Sequence, residues 1–83
     1  AIQDYSKALE LDPNFKVVYY NRGIAYRHLK QYERAIQDYN KYIQLVPKDP
    51  DGWQMRGKCY QELGDEEKAQ ADFAKAKELG WKG

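Results

Sequence analysis

The chain repeats itself with a period of 34 residues. Ala-Ile-Gln-Asp-Tyr fills positions 1–5 and returns at 35–39. One shift lays Ala1, Tyr5, Ala8, Leu11 and Pro13 on Ala35, Tyr39, Tyr42, Leu45 and Pro47. A second lays them on Ala69, Phe73, Ala76, Leu79 and Trp81. Another word, Tyr19-x-x-Arg22-Gly23-x-x-Tyr26, returns as Trp53-x-x-Arg56-Gly57-x-x-Tyr60. A fixed period of this size marks a stacked-unit architecture, because one small unit cannot bury its apolar face alone.

Each period holds two helices. Pro13, Asn14, Pro47, Asp49, Pro50 and Gly80 punctuate the ends. The gentler break inside a period is Lys30-Gln31 in one copy and Gly64-Asp65 in the other. Gly64 suits a left-handed helix terminus, and Asp65 suits the cap of the next helix. No stretch alternates with period two, so no strand is expected. The reading is all-α, with five helices near 1–11, 15–29, 32–45, 49–63 and 66–79.

The pattern aromatic-x-x-x-Gly-x-x-Tyr, then Ala-x-x-x-aromatic, then Pro resembles the tetratricopeptide repeat, a 34-residue helix-turn-helix. Trp53, Gly57, Tyr60, Ala69 and Phe73 carry one copy, and Tyr19, Gly23, Tyr26, Ala35, Tyr39 and Pro47 the other. The resemblance implies one domain over 1–83: the second helix of a repeat at 1–15, then repeats at 16–49 and 50–83. It implies a right-handed superhelical array of antiparallel helix pairs, an α-solenoid that scaffolds protein partners. Arg22 and Arg56 depart from it, standing where the family usually has leucine, and Trp81 stands where proline is expected.

At 100° per residue the helix at 15–29 carries three stripes. Tyr19, Gly23 and Tyr26 face the paired helix. Val18, Arg22, Ala25 and Leu29 face the preceding unit. Val17, Tyr20, Ile24 and Arg27 remain, and in a solenoid of two-helix units the remaining face lines a groove. Asn21 lies beside them. In the next unit the wall reads Asp51, Gln54, Lys58 and Gln61. This wall is the candidate site for a protein or peptide partner, taken as an extended segment or a helix. Tyr5, Tyr26, Tyr39, Tyr60 and Phe73 read as packing residues.

An arginine within a packing stripe needs a partner, since an unpaired buried charge is costly. The expectation is Asp4–Arg22 and Asp38–Arg56 pairs bridging neighbouring units, with Asp72 left over. A second reading makes the chain a spacer that self-associates. Ala1, Ile2, Tyr5, Ala8 and Leu9 cannot all face one neighbour, so end-to-end stacking into a homo-oligomer through Ile2, Tyr5 or Leu9 is expected. Such heterologous contacts build open filaments.

Composition narrows the function classes. Charged residues make up 33% of the 83, yet the net charge is +1. A nucleic-acid binder normally carries a clustered basic face, so that class is not expected. The longest same-sign run is Asp65-Glu66-Glu67. No apolar run approaches the ~20 residues that cross a bilayer. One cysteine, Cys59, excludes an internal disulfide and a multi-cysteine zinc site. On its packing stripe it reads as a buried, inert thiol, and His28 as a surface side chain. No phosphate loop, nucleophilic triad or metal-ligand cluster is present, so no enzyme activity, catalytic residue, cofactor or metal is expected. The chain starts inside its periodic pattern, without an initiator methionine, and reads as a piece of a longer protein. The reducing cytoplasm is the expected compartment.

Overall fold

The computed structural model describes residues 2–82; Ala1, placed by the register on the packing face, lies outside them. Among the described residues five helices follow in order: α1 Ile2–Leu11, α2 Lys16–His28, α3 Tyr32–Leu45, α4 Pro50–Glu62 and α5 Glu66–Glu78. No strand occurs among the described residues. The helix ends follow the local chemistry. Asp49 caps α4 by accepting from the Asp51 N–H at 2.9 Å, with Pro50 opening the helix. Asp65 caps α5 through the Lys68 N–H at 3.2 Å. The matching positions Phe15 and Gln31 make no side-chain cap for α2 and α3. The turn inside each hairpin passes through the left-handed region, at Lys30 (φ 62°) in one copy and Gly64 (φ 83°) in the other.

α2 packs on α3 and α4 on α5, each pair more closely than the seams between α1 and α2 or between α3 and α4. Glycine sets that closeness. A Cβ on Gly23 would stand 2.7 Å from the Tyr39 ring, and one on Gly57 2.7 Å from the Phe73 ring. The central core joins Ala35, Ile36 and Tyr39 of α3 to Met55 and Cys59 of α4, with Tyr20, Ile24, Tyr26, Tyr32 and Tyr60 packed around it. Of the aromatic packing residues, Tyr39 is fully buried; Tyr5, Tyr26, Tyr60 and Phe73 are half-buried. Leu29, expected against the preceding unit, is 57% exposed at the end of its hairpin, as is Leu63 at 45%.

The outer face of α5 differs from that of α3. Ile36 and Ile43 are buried, whereas Gln70 and Lys77, one period later, are exposed polar residues. Ala71 and Ala74 are exposed beside them.

Candidate functional site

The arginine stripes correct the expected pairing. Arg22 turns forward to Asp38, its Nε donating to Oδ2 at 2.8 Å and its Nη2 to Oδ1 at 2.7 Å. Arg56 does the same to Asp72, at 2.8 and 2.7 Å. The pairs therefore lie within hairpins, not between them; Asp38 receives Arg22 in place of Arg56, and Asp72 is paired. The third guanidinium nitrogen reaches back across the seam: Arg22 Nη1 donates to Ser6 Oγ at 3.2 Å, and Arg56 Nη1 to Asn40 Oδ1 at 2.8 Å. The carboxylate hydrogen bond is the main cause holding each guanidinium above its ordinary pKa. Cations also cover the aromatic stripe. Arg22 and Arg34 lie 5.8 and 5.9 Å from the Tyr26 ring centre, and Arg56 and Lys68 lie 5.8 and 5.5 Å from that of Tyr60. These contacts are attractive through the ring quadrupole. This layer belongs to the scaffold.

The remaining stripe of α2 lies alongside α4. Val17 is 51% exposed. Tyr20, Asn21, Ile24 and Arg27 are half-buried, as are Asp51, Gln54 and Lys58, and Gln61 is exposed. The Tyr20 ring meets Tyr39 edge-on at 6.0 Å and Tyr42 at a tilt at 5.0 Å. α3 thus backs the wall, and Tyr20 is held by two rings. The Tyr42 hydroxyl donates to Asp49 Oδ2, tying α3 to the start of α4.

Charge along the wall is graded. The Tyr20 phenol sits above its ordinary pKa, first through burial, then through Asp51 and Asp49, while Arg27 opposes the shift. Asp51 is itself raised, by burial and then by Asp49. The acidic groups open α4, and Arg27 ends the wall of α2. There Arg27 shares a small depression of about 140 Å³ with His28, Tyr32 and Glu62. Burial pushes the Cys59 thiol up to about 11, Arg27 opposing and Glu62 adding. It also raises the Tyr39 phenol. The Tyr39 hydroxyl and Arg27 Nε are buried with no hydrogen bond of good geometry, although the guanidinium lies near enough to the phenol to oppose its upward shift. A larger depression, about 870 Å³ and open to solvent, lies away from this wall, lined by Arg22, Tyr26, Lys30 and Arg34 among others.

Of the self-association candidates, Leu9 is buried within the chain, and Ile2 and Tyr5 are half-buried. Sequence reasoning missed Asp49 as a wall residue, because it read there only as punctuation before Pro50. It missed Ser6 and Asn40, whose shared register offered a signal. No group of His, Cys, Asp and Glu among the described residues could hold a metal ion. No helix among them is long and apolar enough to cross a membrane.

Comparison with known proteins bears on both layers. Models described as tetratricopeptide repeat match residues 17–49 and 38–71, and one described as TPR repeat matches 1–30. No curated protein sequence matches the chain. Among solved structures, a crystal structure of MamA superposes with a TM-score of 0.91 at 28% identity, over 94% of this chain and 46% of that one. A further MamA structure, MSR-1 C2, gives 0.92 at 26%, over 95% and 45%. The first TPR of Spaghetti (RPAP3), bound to the HSP90 peptide SRMEEVD, gives 0.90 at 30%, over 95% and 63%. The chain spans less than half the length of these MamA chains.

Proposed function

Because this chain belongs to the tetratricopeptide repeat family, we propose that it is a non-enzymatic scaffold that binds a protein segment along the α2/α4 wall. One observation carries the reading. α2 places Val17, Tyr20 and Ile24 on one stripe, with Val17 51% exposed and Tyr20 and Ile24 half-buried against the α3/α4 core, so that an apolar strip remains open to a partner. Asn21, Arg27, Asp51, Gln54, Lys58 and Gln61 surround them with polar groups that fix register. Apolar anchors within a polar rim are the usual anatomy of a recognition surface. The RPAP3 domain that resembles this chain holds a peptide, which supports a peptide-like partner here. Asp51 and the apolar pair Val17 and Ile24 argue against a purely acidic tail as that partner.

End-to-end stacking is less well supported. Leu9 is already buried, and Gln70 and Lys77 stand where α3 offers Ile36 and Ile43. The proposed repeat limits, 16–49 and 50–83, follow the two hairpins. The proposed compartment is the cytoplasm, where a free thiol such as Cys59 stays reduced. No nucleic-acid or membrane partner is proposed.

The test uses Val17→Glu and Lys58→Ala, with Gln37→Ala on the opposite side as a control. Partners retained by the wild-type chain and by the control should be lost by the two wall variants, with helicity unchanged by circular dichroism. Retention by all four proteins would show that the wall is not the binding surface.

A further inference from the structure

The wall has direction as well as composition, and its charges are placed to read the direction of what lies on it. Asp49 and Asp51 stand at the N-terminal end of α4, beside Tyr20. Arg27 stands in the last turn of α2, and Lys58 lies past the middle of α4. Glu62 is the opposing charge at that end, sharing the small depression with Arg27; Arg27 and Lys58 together outnumber it. Apolar Val17, Tyr20 and Ile24 lie on the same stripe. From Val17 to Arg27 the stripe runs roughly 15 Å, three helical turns.

We propose that the occupant is an amphipathic helix laid antiparallel to α2 and α4, with Asp or Glu in its first turn and Lys or Arg in its last. The proposal rests on the wall being the binding surface, as argued above. Charge complementarity fixes the sense. An acidic first turn meets Arg27 and Lys58, and a basic last turn meets Asp49 and Asp51. The helix dipole favours the same arrangement within the partner, since acids stabilise a helix N-terminus and bases its C-terminus. Antiparallel placement also sets the partner's positive end against the negative ends of α2 and α4. A helix satisfies its own backbone groups, so it needs only side-chain contacts from a wall whose centre is aromatic and aliphatic. Asp51 supports the assignment: its carboxylate is raised by burial and by Asp49, so a cation delivered there relieves an existing repulsion.

The experiment uses two designed peptides of fourteen residues, each locked helical by a lactam bridge, with one leucine face in common. One carries glutamates first and lysines last; the other is reversed. Anisotropy titrations with the wild-type chain should favour the first by about tenfold, because reversal exchanges attraction for repulsion at both ends. The double variant Asp51→Lys/Lys58→Glu, which leaves the Asp49 cap intact, should prefer the second. Equal affinities, or a preference for the second peptide by the wild-type chain, would overturn the polarity and leave the wall as a binding surface. Binding of neither peptide would overturn the wall itself, and the polarity with it.

Discussion

Arg22 and Asp38, sixteen residues apart, meet through two parallel hydrogen bonds of 2.8 and 2.7 Å, with side chains 21% and 5% exposed. Such a pair contributes less to stability than its geometry suggests, because both groups lose water. Breaking half of it is another matter. Asp38→Ala should cost about 2 kcal/mol, since it leaves a part-buried guanidinium without its carboxylate. Arg22→Leu with Asp38→Leu should cost less than Asp38→Ala alone. Urea unfolding of Arg22→Leu, Asp38→Leu and the double Leu variant measures the coupling. Strictly additive effects would show that the two residues do not stabilise each other.

The close approach at Gly23 makes a second prediction. Alanine in a helix interior normally gains up to about 1 kcal/mol over glycine. Here its Cβ would stand 2.7 Å from the Tyr39 ring, and overpacking costs about 1–3 kcal/mol. Gly23→Ala should therefore lower the melting temperature, and Gly57→Ala against Phe73 should do likewise.

The two hairpins were built to different standards, and the first can be improved. Lys30 holds φ 62° where its counterpart is Gly64, and Gln31 supplies no cap where its counterpart Asp65 does. Gln31→Asp should add about 1 kcal/mol through the new cap. Lys30→Gly should add a fraction of that, since relief of strain is offset by the entropy of glycine. For a domain of this size 1 kcal/mol raises the melting temperature by about 4–8 °C. A calorimetric scan that shows no rise for the double variant would refute the account of this turn.

The Tyr39 hydroxyl is buried without a hydrogen bond of good geometry, with the Arg27 guanidinium nearby, so removing it costs at most a weak contact. Tyr39→Phe should be neutral or stabilising by up to about 1 kcal/mol. A loss of more than that in urea unfolding would mean the hydroxyl is bonded in solution.

Alkali should weaken the fold. Cys59 is raised from 9.0 to about 11, and burial raises the phenols of Tyr20, Tyr39 and Tyr42 as well. Each group holds its proton longer folded than unfolded, so the folded state binds more protons and stability falls as pH rises. For Cys59 the loss begins near pH 9 and is complete above 11. Urea midpoints at pH 8 and 10.5 test this, and Cys59→Ala should flatten part of the decline. At pH 8 a disulfide reagent should label Cys59 only as fast as the helices open.

The fold was legible because the period, the glycines and the prolines all marked the same boundaries; each expected helix end lies within one residue of the observed one. The ion pairs were not. Arg22 follows Asp4 by eighteen residues and precedes Asp38 by sixteen, and a period of 34 supplies both carboxylates at once. Which carboxylate takes the Nε/Nη2 edge is decided by helix packing, and for Arg22 it is Asp38 of the same hairpin. The stripe proposed as the binding wall follows from helical periodicity, yet its charge gradient needed Asp49, whose place beside Tyr20 only the folding of α3 against α4 reveals.

The forked arginines have a mechanical consequence. Each gives two bonds to its own hairpin and one across the seam, Arg22 to Ser6 and Arg56 to Asn40. Stretched from its ends, the array should part at the seams and surrender one hairpin at a time. Each release would pay out roughly 100 Å of chain, so the extension trace should rise in a staircase whose tread is one repeat long.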